Sequence, residues 1–103
     1  MTPRAPETLK RVNAEIAHEK AAALGRAGER LEAALEEVRV LTLLLGGAAE
    51  AGERARLTHE YERARARVRD ARLALIIQRE AVGFRQHRIV DQLFPEPPPR
   101  TLT

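Results

Sequence analysis

Apolar side chains recur at heptad spacing along two long segments of the chain that lack proline. The second segment carries a row in steps of four and three: Leu57, Tyr61, Ala64, Val68, Ala71, Leu75, Gln78, Val82, Arg85 and Ile89. The first segment carries a row in steps of seven with further apolar residues beside it: Leu24, Leu31, Val38 and Leu45, with Ala27, Ala34 and Leu41. Such rows are typical of α-helices that pack along a shared seam. The pattern predicts one helix over about residues 7–45 and another over about residues 53–94.

Proline and glycine mark where these helices begin and end. Pro6 suits the first turn of a helix, and the glycines at positions 46, 47 and 52 predict a turn over residues 46–52. Pro95 and the prolines at positions 97–99 end all helical structure, so residues 95–103 are predicted to form a disordered tail. A short turn makes the two helices antiparallel neighbours. The expected fold is therefore all-α, a hairpin of two long helices.

The composition indicates a thin core. Of the 103 residues, 44% are hydrophobic but only 3% are aromatic, and alanine supplies much of the apolar fraction. A chain of this size is marginally stable unless it buries further surface. The sequence has no cysteine, no apolar run near the ~20 residues that span a bilayer, and no apolar core of a secretion signal at its N-terminus. These features predict a single cytoplasmic domain without a membrane span.

The chain is basic, with a net charge of +3, but its two halves differ in sign. Residues 1–52 carry seven basic and eight acidic side chains, whereas residues 53–103 carry eleven and seven. Residues 63–72 contain a run of arginines. We expect three of them to form ion pairs across the seam: Arg65 with Glu36, Arg69 with Glu32, and Arg72 with Glu29. Nucleic-acid binding is not expected, because it calls for aromatic or base-reading groups near the charge and only Tyr61 is close.

The second helix carries an additional apolar row on the side opposite the seam. At about 100° per residue, Leu73, Ile77 and Phe84 point away from Leu75. The first helix cannot cover both sides of the second, and large exposed apolar side chains in one row mark an interface. The sequence therefore predicts that this row is covered by a second copy of the chain.

The first helix has small residues on the side opposite its own seam. Ala22 and Gly25 lie there, and a glycine inside a helix costs about 1 kcal/mol relative to alanine. Close approach of another helix explains this glycine, and a kink is the alternative. Together with the additional row of the second helix, these residues predict a homodimer in the form of a four-helix bundle.

Three polar residues fall near the predicted interface. Glu15 and His18 share one face of the first helix, and Glu80 lies between the apolar residues of the second. A two-fold dimer would collect four carboxylates and two imidazoles, the ligand count of ferritin-like di-iron bundles. The hypothesis is an iron or zinc site across the dimer. Its alternative is a set of salt bridges with nearby arginines: Arg26, Arg79 and Arg85.

Enzymatic activity is not expected. The sequence contains no serine and no cysteine, and no glycine-rich loop follows a strand to hold a phosphate group, since no strand is predicted. The threonines have no base at a suitable spacing. We therefore expect a protein without catalytic residues and, apart from the metal hypothesis, without a cofactor.

Two blocks of the sequence, EIAHEKAAALGRAG at 15–28 and LIIQREAVGFRQHRIV at 75–90, resemble a family of short bacterial helical proteins known as a domain of unknown function. The family pattern joins E-x-x-x-E-K-A-x-x-L-G-R-A-G to Q-R-E-x-x-G-x-R-x-H. The matching residues are Glu15, Glu19, Lys20, Ala21, Leu24, Gly25, Arg26, Ala27, Gly28, Gln78, Arg79, Glu80, Gly83, Arg85 and His87. The resemblance implies a helical protein and no activity.

These observations favour a non-enzymatic helical hairpin that forms a homodimer and serves as an interaction or scaffold module for another protein. The alternative is an iron-handling bundle with carboxylate and histidine ligands at the dimer interface.

Overall fold

The computed structural model of the protein describes residues 4–100, with the side chains from residue 6 onward. These residues form α1 (Arg4–Gly47), α2 (Ala51–Ala81) and the short α3 (Arg88–Leu93). No strand occurs in this part of the chain. The molecule is elongated, with extents of 76 × 22 × 14 Å. The all-α prediction is confirmed, and the two long helices pack against each other as a hairpin.

The turn between α1 and α2 is closed by a carboxylate. Glu50 precedes α2, and its side chain accepts hydrogen bonds of 2.9 Å from the backbone N–H groups of Gly52 and Glu53. These bonds satisfy two of the free N–H groups at the start of the helix and hold the pKa of Glu50 below its ordinary value. A Cβ atom at position 52 would stand 2.9 Å from a carboxylate oxygen of Glu50. Glycine at this position therefore makes room for the cap.

The core is the predicted seam. Its buried side chains from α1 and α2 are Ala27, Leu31, Ala34, Val38, Leu41, Leu45, Leu57, Tyr61, Ala64, Val68, Ala71 and Leu75. Leu31 and Val68 are fully buried at its middle. Burying a large apolar side chain contributes roughly 1.5–3 kcal/mol, so this single row holds the hairpin together. The heptad prediction is confirmed over these positions.

The second helix ends earlier than predicted, at Ala81 and not near residue 94. Gly83 adopts a left-handed conformation with φ of 104°. The N–H of Phe84 donates to the carbonyl of Arg79, and the N–H of Gly83 donates to the carbonyl of Glu80, both over 3.0 Å. This pattern is a Schellman motif, which terminates a helix with glycine in the left-handed position. The heptad row continues past Gly83 in the sequence, but the helix does not.

After this turn the chain folds back along α2; we call residues 84–100 the return segment. Val90 of α3 is 2% exposed and joins the seam, and Phe94 packs against it. The hydroxyl of Tyr61 binds the carbonyl of Pro98. Residues 95–100, which the sequence predicted to be disordered, are thus placed against α2, and the rest of the predicted tail, residues 101–103, lies outside the described residues.

Because α1 has 44 residues and α2 has 31, the N-terminal part of α1 projects beyond the end of α2. Every residue from 6 to 21 is exposed. We call residues 6–21 the overhang.

The three ion pairs predicted across the seam are not formed. Arg65 binds Glu62, one turn away on the same helix, at 3.1 Å. Arg72 turns to the return segment. Among the described residues, the ion pair that does join α1 and α2 is between Arg67 and Glu37. A local partner occupies Arg65 and the return segment occupies Arg72, while Arg69 stays exposed.

Candidate interaction surfaces

The described residues leave many large apolar side chains more than 40% exposed. They fall into four groups along the chain. The groups are Leu9, Val12 and Ile16 on the overhang, Val40, Leu43 and Leu44 near the turn, Leu73 and Ile77 on α2, and Phe84, Ile89 and Leu93 on the return segment. Contiguous apolar groups on a small surface mark interaction sites more often than single exposed residues do.

Leu73 and Ile77 form the row on α2 that the sequence predicted. They lie one turn apart and are 59% and 52% exposed. Each lies two positions from a buried seam residue, Ala71 or Leu75, which is a rotation of about 200° around the helix. Both side chains therefore point away from α1, and nothing in the described part of the chain covers them.

Phe84 does not extend this row, contrary to the prediction. The turn at Gly83 removes it from the helix, and its ring lies under the guanidinium of Arg79, 4.6 Å from the ring centroid. Arg79 also donates hydrogen bonds to His87 Nδ1 (3.2 Å) and to the carbonyl of Gln86 (3.0 Å). The prediction assumed a continuous helix through residue 84, whereas Phe84 belongs to the start of the return segment.

Ala22 and Gly25 lie on the outer side of α1, and the outer side of α2 faces the opposite direction. Gly25 is exposed and Ala22 is half-buried. A Cβ atom added at Gly25 would meet nothing within 4 Å, so no part of the chain itself requires glycine there. The structure does not bring these two residues together with Leu73 and Ile77 on one surface.

The three candidate metal ligands are also separated within the chain. Glu15 and His18 are exposed on the overhang. Glu80 lies in the last turn of α2, where its Oε2 is 3.4 Å from Nε2 of His87. Within residues 6–100, no group of three or more carboxylate or imidazole side chains is placed to hold a metal ion.

The side of α2 that contacts the return segment contains residues whose roles the sequence did not reveal. The side chain of Arg72 is 11% exposed and donates to the carbonyls of Val90 and Phe94 at the end of α3. It also pairs with Asp91 and lies 3.7 Å from Glu96. A cation suits the free carbonyls at a helix C-terminus. The sequence signal that could have indicated this packing was the apolar pair at positions 90 and 94, which lies between Gly83 and Pro95.

A second anchor of the return segment lies further along α2. The carboxylate of Glu62 accepts a hydrogen bond of 2.8 Å from the backbone N–H of Arg100 and binds the side chain of Arg65. These contacts, the backbone hydrogen bond first, hold the pKa of Glu62 below its ordinary value. The guanidinium of Arg100 lies over the ring of Tyr61 at 5.3 Å.

An open cleft of about 560 Å³ lies where α2 ends beside α1. Ile16, Lys20 and Leu24 line it from α1, and residues 80–83 line it from α2. The cleft joins the apolar row of the overhang to the end of α2.

No helix in the described range is long and apolar enough to cross a membrane. Comparison with protein-family models, curated proteins and solved structures finds no match to this chain.

Proposed function

We propose that the protein is a non-enzymatic helical hairpin that self-associates and acts as an interaction or scaffold module. The observation that carries this proposal is the exposure of Leu73 and Ile77 on the side of α2 turned away from α1. In a homodimer the two copies bury these side chains against each other at the centre of the contact.

The energetics of the fold support self-association. The core is one row of side chains, many of them alanine, and a small single-row core leaves little margin of stability. Fully burying a Leu or Ile side chain contributes roughly 1.5–3 kcal/mol. A symmetric contact buries each exposed residue twice, once in each copy. Two residues per chain therefore suffice to contribute substantially to the free energy of association.

The polar contacts of the chain favour a structural role over catalysis. Several arginines bind carboxylates or carbonyls of the fold, as Arg72 does at the end of α3. His87 is held between Arg79 and Glu80. With no serine or cysteine in the sequence, the side chains that remain exposed in rows are apolar, which suits binding to another protein surface.

The test compares two equivalent substitutions on different faces. Ile77→Glu places a charge in the proposed contact, whereas Leu43→Glu places the same charge at a position of α1 that is 64% exposed. We expect the parent protein and Leu43→Glu to self-associate and to have the same mass by light scattering, and Ile77→Glu to have a smaller mass with unchanged helicity. A parent protein that is monomeric at micromolar concentrations contradicts the proposal, as does an Ile77→Glu variant whose mass equals that of the parent protein.

A further inference from the structure

The overhang carries a row of large apolar side chains close to the continuation of the α1 seam. On a straight helix at about 100° per residue, Leu9 and Ile16 fall within about 20° of the mean direction of the buried α1 residues, and Val12 falls within about 60°. Their exposed fractions are 60%, 44% and 44%. Large apolar side chains thus lie near the face that packs against α2 further along α1. Ile16 borders the cleft with residues 80–83, and Leu9 and Val12 lie beyond the end of α2.

The end of α2 leaves room for another helix in line with it. The left-handed turn at Gly83 directs the chain sideways into the return segment, so nothing in the described range extends α2 along the overhang. The cleft between Ile16, Leu24 and residues 80–83 lies at this step. A helix that runs antiparallel to α1, as α2 does, would cover the overhang row from this position.

We propose that this helix is the overhang of a second copy, and that two overhangs pair antiparallel about a two-fold axis near Val12. Leu9 of each copy then packs beside Ile16 of the other, because these residues lie at nearly equal distances on either side of Val12. The first turn of each overhang enters the cleft at the end of the other copy's α2. The contact is isologous, with the same residues contributed by both chains.

The charges of the overhang favour a second copy as the occupant. Residues 6–21 contain three acidic side chains (Glu7, Glu15 and Glu19) and three basic ones (Lys10, Arg11 and Lys20). Two overhangs therefore meet without net repulsion, although the whole chain carries a charge of +3. The apolar row also reads nearly the same in both directions, so Leu9 and Ile16 of one copy can lie opposite Ile16 and Leu9 of the other.

This inference rests on the proposed self-association and locates a second contact. Leu73 and Ile77 lie on the outer side of α2, whereas the overhang row lies on the inner side of α1 beyond the end of α2. Two different two-fold contacts on one chain connect copies into assemblies larger than a dimer.

Cysteine cross-linking tests the pairing directly, because the chain has no cysteine. Oxidation of a mixture of Leu9→Cys and Ile16→Cys proteins should give mainly the mixed disulfide dimer. Each variant alone should cross-link poorly, since its two cysteines are displaced along the helices by about seven residues, or roughly 10 Å, and a disulfide requires Cα atoms within about 7 Å. Val12→Cys alone should cross-link efficiently, and Ala14→Cys, on the outer side of the overhang, should not.

Charge substitution separates this contact from the one on α2. Val12→Glu should weaken association through the overhang about tenfold or more, while Ala14→Glu should leave it unchanged; the overhang is outside the core, so circular dichroism should show both variants folded. If Val12→Glu and the cysteine pairs have no effect while Ile77→Glu still dissociates the protein, the overhang contact is wrong and the proposed function stands. A monomeric parent protein overturns both. If the mixed disulfide dimer of Leu9→Cys and Ile16→Cys still forms when both proteins also carry Ile77→Glu, the overhang contact forms without the contact on α2.

Discussion

The phenolic hydroxyl of Tyr61 donates a hydrogen bond of 2.7 Å to the carbonyl oxygen of Pro98, thirty-seven residues further along the chain. The ring of Tyr61 is 2% exposed within the seam, and the guanidinium of Arg100 lies over it. One residue therefore serves both the packing of α1 against α2 and the attachment of the return segment. A leucine at this heptad position would provide the packing alone.

Replacing Tyr61 with Phe should loosen the end of the return segment and leave the seam intact. The ring stays in place, but the carbonyl of Pro98 loses its donor, and a hydrogen bond of this kind contributes about 0.5–1.5 kcal/mol. Urea unfolding should show a decrease of that size in the free energy of unfolding. A chain truncated after Phe94 provides the control, since the substitution should have little further effect there. Equal losses in both backgrounds would mean that the hydrogen bond does not hold the return segment.

The sequence predicted the hairpin well because the seam is periodic over its whole length. Leu31, Val68 and their heptad neighbours are buried as expected. The turn lies within the predicted range 46–52 but is confined to residues 48–50, so the three glycines of that range belong to the helix ends. The same periodicity led to the error after residue 81: the row includes Val82 and Ile89, and no proline interrupts it. The Schellman turn depends on Gly83 and on the burial of Val90 elsewhere, which a pattern within one helix cannot reveal.

The interaction surfaces were predictable only in part, for the same reason. Leu73 and Ile77 lie within a regular helix, so their outward direction follows from their spacing. Phe84 lies beyond the turn, where helical spacing no longer applies. Arg72 was expected to face an acidic residue of α1, but its partners belong to a segment whose folding back along α2 was not anticipated.

Arg72 should matter more for stability than other arginines of α2. Arg72→Met removes donors to the carbonyls of Val90 and Phe94 and the pairing with Asp91. Hydrogen bonds to charged groups contribute about 1.5–3 kcal/mol, and this side chain is largely buried. We expect a loss in that range by urea unfolding, with increased protease cleavage after residue 84.

The matched control for Arg72 is Arg67→Met. Arg67 pairs with Glu37, and both side chains are almost half exposed, at 47% and 45%. Exposed ion pairs contribute about 0–1 kcal/mol, so this variant should lose little stability. Equal losses for the two variants would contradict the role assigned to Arg72.

Acidification should release the end of the return segment before the hairpin unfolds. The pKa of Glu62 is below its ordinary value of 4.5 because the N–H of Arg100 and the side chain of Arg65 bind its ionised form. A lowered pKa in the folded state means that the stabilisation is complete above the ordinary pKa and is lost as the pH falls through the lower one. Hydrogen exchange of the Arg100 amide, followed from neutral pH to about pH 3, should show protection that decreases over that acidic range once the intrinsic pH dependence of exchange is corrected.

Glu62→Gln identifies the group responsible for this acid response. The neutral amide can still accept the hydrogen bond through its oxygen but lacks the charge, so it should lower the protection of the Arg100 amide at neutral pH and remove most of the acid dependence. Glu60→Gln is the control, because Glu60 binds Arg56 on the same helix and not the return segment. An acid response that persists in Glu62→Gln would assign it to another residue.

Metal ions should not stabilise the protein. Glu80 is adjacent to His87, while Glu15 and His18 lie on the overhang, so the candidate ligands are not gathered within one chain. A metal present at about 100 times its dissociation constant would add about 2.7 kcal/mol of stability, which a thermal melt detects. We expect no increase in Tm with zinc or ferrous iron. An increase that His18→Ala abolishes would restore the hypothesis of a metal site between copies.

Two alanine substitutions for glycine should have opposite effects on stability. Gly83 has φ of 104°, and an alanine in a left-handed conformation costs about 1–2 kcal/mol, so Gly83→Ala should destabilise the protein in urea. Gly25 lies inside α1, where an added Cβ meets nothing within 4 Å, so Gly25→Ala should stabilise the single chain by up to about 1 kcal/mol.

If Gly83→Ala instead increases both helicity and stability, α2 continues past residue 81 in that variant, because alanine removes the turn that ends the helix. If Gly25→Ala weakens self-association while stabilising each chain, the glycine is needed for the close approach of a second copy, which would place a contact on the outer side of α1.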